Sequence, residues 1–119
     1  MHHFGFWGGA EDHYTHMVQQ GYDFRKDLEL KRGVTGKYST SLFQKKAVDI
    51  IVHHNQSKPL FLYLPFQAVH VPLQVPRRFE KHYPHVQGDR RTYLAMVTAM
   101  DLAVGKITKG TSKTVYLSL

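Results

Sequence analysis

The chain contains no cysteine. That excludes a disulfide framework, a zinc–thiolate centre and a cysteine nucleophile among its own residues, and it leaves the redox compartment unreadable. Acidic residues are scarce. Asp and Glu number 9 against 16 Lys and Arg, for a formal charge of +7. A basic balance favours anionic partners: nucleic acid, anionic lipid, or a sulfated or phosphorylated substrate. The cations are scattered as pairs (Lys31–Arg32, Lys45–Lys46, Arg77–Arg78, Arg90–Arg91) instead of forming one stripe. A nucleic-acid partner is therefore not expected. No apolar run approaches the span of a bilayer, so no membrane span is expected. The opening MHHFGFWGG lacks a basic region followed by an apolar one, so no signal peptide is expected in this chain. There is no G-x-G-x-x-G, Walker loop or G-x-S-x-G. The Gly-Lys of GVTGKYST has the wrong glycine spacing and follows no apolar strand.

What remains is ordinary for a globular chain: 119 residues, 42% hydrophobic and 21% charged. That is enough for one small domain. Nine histidines add charge in an acidic compartment. The single asparagine, Asn55, opens the triplet Asn-Gln-Ser, a glycosylation acceptor if the chain enters the secretory pathway.

The N-terminal third gives weak patterns. AEDHYTHMVQQG reads as a short helix closed by Gly21. YDFRKDLELKRGVTG reads as short extended pieces or a hairpin. YSTSLFQKKAVDIIVHHNQ then opens on Ser and Thr, good N-cap residues, and places Leu42, Phe43, Ala47, Ile50 and Ile51 at helical spacing. It predicts a helix of about four turns. LFLYLPF is a continuous apolar run, the pattern of a strand buried on both faces. QAVHVPLQVP carries Pro72 and Pro76 and reads as a loop. RRFEKHYP reads as a short helix. DRRTYLAMVTAMDLAVGKITK predicts a second long helix, capped by Asp89, with Tyr93, Met96, Val97, Met100, Val104 and Ile107 as its apolar stripe. The terminal TVYLSL is strand-like. This order implies an α/β fold, a parallel-sheet core strand flanked by helices. So apolar a strand needs neighbours that the chain does not obviously supply, so the chain reads as a piece of a domain.

Ligands of open α/β sheets bind beyond the carboxyl ends of the strands, which is where His70 falls. A catalytic or anion-binding imidazole and a plain loop histidine are both open readings. His13 and His16, three apart beside Glu11 and Asp12, could offer a helix face to a metal. A chance pair among nine histidines is the blander alternative. His53 and His54 close a helix, where a cation suits the dipole. His82 and His85 flank Pro84 and share no regular helix face.

The run GKYSTSLFQKKAVDII…KPLFLYLPFQAVHVPLQVP, with FGFWGGAEDHYTH and YDFR before it and YLAMVTAMDLAVGKIT after it, resembles the sulfatase family in its arylsulfatase branch. The likeness spans Phe4 to about Thr108. It implies a partial alkaline-phosphatase-like domain, residues 1–119 being an incomplete interior segment of a sulfatase N-terminal catalytic domain. It implies sulfuric ester hydrolysis of glycan or aryl sulfates, with a formylglycine nucleophile and a calcium ion, in a lysosomal or secreted glycoprotein. His70 would contact the sulfate or the leaving group. The Cys-x-Pro-x-Arg signature, its Ser variant, the paired aspartates, Gly-Lys-x-His and Asp-Asn-Gly are all missing. Lys37 therefore inherits no role, and no metal ligand is expected in this chain. The isolated chain is expected to be inactive. The alternative is a non-catalytic truncated product that binds a partner protein or a sulfated glycan.

Overall fold

Short antiparallel pairings, not a helix, shape the N-terminal third. The computed structural model describes residues 2–19 and 21–112. Its strands are β1 (Phe4–Gly5), β2 (Met17–Val18), β3 (Gly21–Tyr22), β4 (Arg25–Lys26) and β5 (Glu29–Leu30). β2 and β3 form a hairpin with Met17 opposite Tyr22. The other three lie in the order β1-β4-β5, with Phe4 opposite Lys26 and Arg25 opposite Leu30. The extended pieces expected over YDFRKDLELKRGVTG are thus present. The helix expected over AEDHYTHMVQQG is not. Asp12 Oδ1 accepts the N–H of Tyr14 at 2.9 Å and of Thr15 at 2.7 Å, a local turn that competes with a helix. His16 and Gln19 then sit at φ of 59° and 54°, which no right-handed helix accommodates.

These strands wrap a core of Phe24, Val34 and Phe43, with Phe4, Phe6, Tyr22, Leu42, Leu64 and Phe66 packed against it. Phe24 stacks on Phe43 at 5.8 Å between ring centroids, and Phe4 meets Phe24 edge-on at 5.0 Å.

Helix α1 spans Ser39–His53, the four-turn helix that the spacing predicts. Its N-cap is Tyr38, with no side-chain cap. The Ser39 hydroxyl is used elsewhere: Oγ–H and the backbone N–H both donate to the His13 carbonyl, each at 3.0 Å. Phe43, Ala47 and Ile51, one helical turn apart, form the buried face, while Leu42 and Ile50 are only partly covered.

The short helix α2 (Arg77–Glu80) follows Pro76, and α3 runs from Gly88 to Ser112. Asp89 lies inside the first turn of α3, not ahead of it. Thr92 Oγ1–H donates to Glu80 Oε1 at 3.1 Å, tying α2 to α3. α3 packs against α1. The apolar stripe expected on it holds at Met96 and is corrected at Tyr93, Val97 and Val104. Ala95, Met96, Ala99 and Ala103 are buried, while Tyr93, Val97 and Val104 are exposed. Small residues let the two helix backbones approach; larger side chains at those positions would hold them apart.

The apolar run after α1 is also corrected. Leu60–Phe66 joins no ladder among the described residues, and every ladder there is antiparallel. Phe61 is 91% exposed and Tyr63 76%. A strand needs neighbours to take up its N–H and C=O groups, and the described residues provide none for this run. Only its end, Leu64 and Phe66, reaches the core. The expected parallel-sheet core strand is therefore not formed here. TVYLSL falls outside the described residues.

Candidate active site

The site grows from the turn at Glu11–His16. Asp12 Oδ1 closes the turn, and Oδ2 accepts the Gln74 side-chain amide at 2.6 Å. Burial opposes the charge on Asp12. Hydrogen bonds from Thr15, Gln74 and Tyr14 outweigh it and hold the carboxyl at about 2. The His13 N–H donates to Gln74 Oε1 at 2.8 Å. The Gln67 amide donates to the Glu11 carbonyl. His13 Nε2–H donates to the His70 carbonyl at 3.2 Å. Four bonds thus fasten the loop from Gln67 to Gln74 onto a turn more than fifty residues away in sequence.

His70 sits on that loop. Its backbone N–H donates to the Gln67 carbonyl at 3.0 Å, and cis peptide bonds lie at Ala68–Val69 and Val71–Pro72. The side chain is exposed, with Nδ1 at 2.9 Å from the Val71 carbonyl. A carbonyl only accepts, so Nδ1 carries a hydrogen and Nε2 is the ring atom left for a ligand.

The expected His13–His16 pairing on a helix face is not found. The two rings are fully buried and turn to different carbonyls: His13 to His70, His16 Nε2 to Val34 at 3.2 Å and Lys37 at 3.0 Å. His16 Nδ1 lies 3.6 Å from Glu11 Oε2. Burial raises the Glu11 carboxyl above its ordinary range, with His16 pulling the other way. Burial likewise lowers His13, with the His70 carbonyl and Asp12 opposing, and keeps its ring neutral. Burial pushes the Tyr38 phenol up to about 12. His53 Nδ1–H donates to the Asp49 carbonyl at 2.9 Å, a local contact at the end of α1. His82 and His85 are exposed between α2 and α3.

Asn55, Gln56 and Ser57 form an exposed turn after α1. Asn55 Oδ1 accepts the Ser57 N–H at 3.0 Å and hydroxyl at 2.8 Å. A cavity of about 230 Å³ lies between α1, α2 and α3, lined by Tyr38, Gln44, Arg78 and Lys106 among others; His70 does not line it.

Neither cofactor implied by the resemblance fits the residues present. With no cysteine there is no formylglycine precursor. Among the described residues no group of three or more His, Asp or Glu could hold a metal ion. Among the same residues, no helix is long and apolar enough to cross a membrane.

Sequence reasoning singled out His70 as a candidate and missed what holds its loop. Gln67, Gln74 and Asp12 carry no motif. Their partners stand 56 to 62 residues away, a range that periodicity does not reach.

Comparison with known proteins places the chain in a family. Mouse (Mus musculus) arylsulfatase J is 38% identical over 112 residues, covering 88% of this chain and 19% of its own length. An uncharacterized sulfatase of Schizosaccharomyces pombe is 39% identical over 46 residues, or 39% of this chain and 8% of its own length. Two crystal structures of Ps i-CgsB match with TM-scores of 0.80 and 0.81 at 24% identity, the first in complex with k-i-k-neocarrahexaose. Each covers 95% of this chain, which in turn covers 29% of theirs. The chain spans about a fifth of the length of its mouse relative. Together with the family match these neighbours point to an alkaline-phosphatase-like fold, of which the described residues form a part. Residues 1–114 match the sulfatase family, and the chain belongs to it.

Proposed function

We propose that this chain is part of a sulfatase catalytic domain that hydrolyses sulfuric esters, and that His70 contacts the sulfate or the leaving oxygen. The observation that carries the reading is the posture of His70: loop fastened, ring exposed, Nδ1–H engaged by Val71. The remaining ring atom, Nε2, can donate to a sulfate oxygen only in the imidazolium form, which carries hydrogens on both nitrogens. In the whole domain, as an oxygen nucleophile from outside these residues bonds the sulfur and the S–O ester bond breaks, that Nε2 proton would pass to the leaving alcohol oxygen. The ring returns to the neutral form already held by Val71.

The sequence has no cysteine to give the nucleophile, and among the described residues no cluster could hold the compensating metal ion. One imidazole cannot replace both. The 119-residue chain alone is therefore proposed to bind sulfate weakly without turning over an aryl sulfate. The arylsulfatase relative supports a lysosomal or secreted setting. In that setting Asn55 is proposed to be a glycan acceptor, because its sequon is exposed.

The test is a titration of the ring-labelled chain with inorganic sulfate, read at the His70 Cε1–Hε1 signal. A saturable shift is expected. No response to sulfate defeats the assignment of His70, and measurable aryl sulfate turnover by the chain defeats the inactivity claim.

A second reading, a non-catalytic product that docks on a partner protein, is favoured by the exposed Phe61 and Tyr63. Concentration-independent monomers that capture no partner would count against it.

A further inference from the structure

His13 meets the His70 loop, the Gln74 side chain and α1 at once, yet it is sealed from solvent and touches no ligand-facing surface. We propose that His13 is the positioning residue of His70: its ring N–H holds the His70 carbonyl and so sets where the exposed imidazole stands. The inference rests on the reading of His70 as the sulfate contact.

The chemistry of the His13 ring suits this task. The His70 carbonyl can only accept, so Nε2 of His13 must carry the hydrogen. Nδ1 is buried and has no hydrogen-bonding partner. A second proton there would face no acceptor, so burial favours the neutral ring with its one donor. Other charged groups near the ring are few: Asp12 favours its protonation, while His16 and His70 oppose it.

The backbone of His13 adds two more restraints. Its N–H donates to Gln74 Oε1 at 2.8 Å, and its carbonyl accepts Ser39 N–H and Oγ–H, both at 3.0 Å. One residue thus fixes the start of the loop through its ring and the far end through its amide, while α1 holds it in place. The ring also stacks on Tyr38 at 5.5 Å between centroids, which removes its remaining rotational freedom.

The experiment uses the 119-residue chain with ring-labelled histidine. Two variants are compared, His13→Leu and His13→Gln; the glutamine amide can supply the one donor that the ring provides. Three signals are read: exchange of the His70 amide, exchange of the Ala99 amide in α3, and the shift of His70 Cε1–Hε1 with inorganic sulfate. In His13→Leu, His70 amide exchange should rise about tenfold while Ala99 is unchanged. The apparent sulfate affinity should fall several-fold. His13→Gln should restore most of both. If His70 exchange and sulfate response in His13→Leu match the wild type, the inference is wrong. If His13→Leu unfolds, shown by Ala99 exchange rising with His70, then His13→Gln decides: failure of that variant to protect His70 overturns the inference. If sulfate leaves His70 unmoved in the wild type, the functional reading falls. The exchange measurements still judge the positioning role.

Discussion

Asp12→Asn is the sharpest probe of the loop attachment, because it trades one acceptor for a donor and removes one charge. In the wild type, Oδ1 takes two backbone N–H groups and Oδ2 takes the Gln74 amide. Burial works against ionisation, but these bonds lower the carboxyl from an ordinary 3.8 to about 2. Lowering it that far is equivalent to about 2.4 kcal/mol in favour of the folded state. The side chain is partly exposed, so solvent screening reduces the usable figure to about 1 kcal/mol. Asparagine keeps Oδ1 but aims an N–H at the Gln74 N–H. Gln74 must then leave one donor unsatisfied, or flip and abandon the His13 amide. The expected loss at neutral pH is about 1–2 kcal/mol, measured as the shift of the urea midpoint.

The pH dependence gives the test its direction. A depressed folded-state value contributes stability above the unfolded value, near 3.9, and loses it as pH falls through about 2. The gap between wild type and variant should therefore be constant at about pH 6 and roughly halved by about pH 3. The double variant Asp12→Asn/Gln74→Glu reverses the donor and should recover part of the loss. Equal midpoints at neutral pH, or a gap that ignores pH down to about 3, would refute the reasoning.

Further outcomes are expected elsewhere in the chain. Phe43→Ala removes the ring stacked on Phe24 and should cost about 3–5 kcal/mol in urea unfolding; a loss near zero would mean the core is not packed there. Glu11 has a raised carboxyl, so its favourable contribution is present below its unfolded value and is lost as pH rises through the folded one. Glu11→Gln should flatten that decline in thermal scans as pH rises above the ordinary carboxylate value of about 4.3, and an unaltered slope would count against it. Phe61→Ser alters an exposed ring and should change stability by less than about 0.5 kcal/mol. A cooperative loss of structure would show that the run is covered after all.

Helical periodicity was legible where burial acts along one element. α1 reads correctly from Phe43, Ala47 and Ile51 because each faces the core. The extent of α3 is also legible, but its inward face only at Met96. The pattern marks the large residues, whereas Ala95, Ala99 and Ala103 are buried beside it. Close approach selects small side chains, and hydropathy alone cannot distinguish that from surface alanine. The strand at Leu60–Phe66 fails for a different reason. Its composition records an apolar environment, but pairing needs neighbours that the described residues do not place beside it. AEDHYTHMVQQG fails because one carboxylate outcompetes the helix for two backbone amides. His70 could be found from its place after an apolar run and from family likeness; its fastenings depend on contacts between distant residues.

The double engagement of His13 also bears on the entropy of closing the chain. Its carbonyl meets Ser39 across 26 residues, and its ring meets His70 across 57. Closing the shorter loop first is the smaller entropic step. Once Ser39 is seated, the open chain leading to His70 shrinks to about 30 residues, which lowers the closure cost by about 0.5 kcal/mol. Prior docking of α1 thus makes the setting of the His70 loop a smaller entropic step.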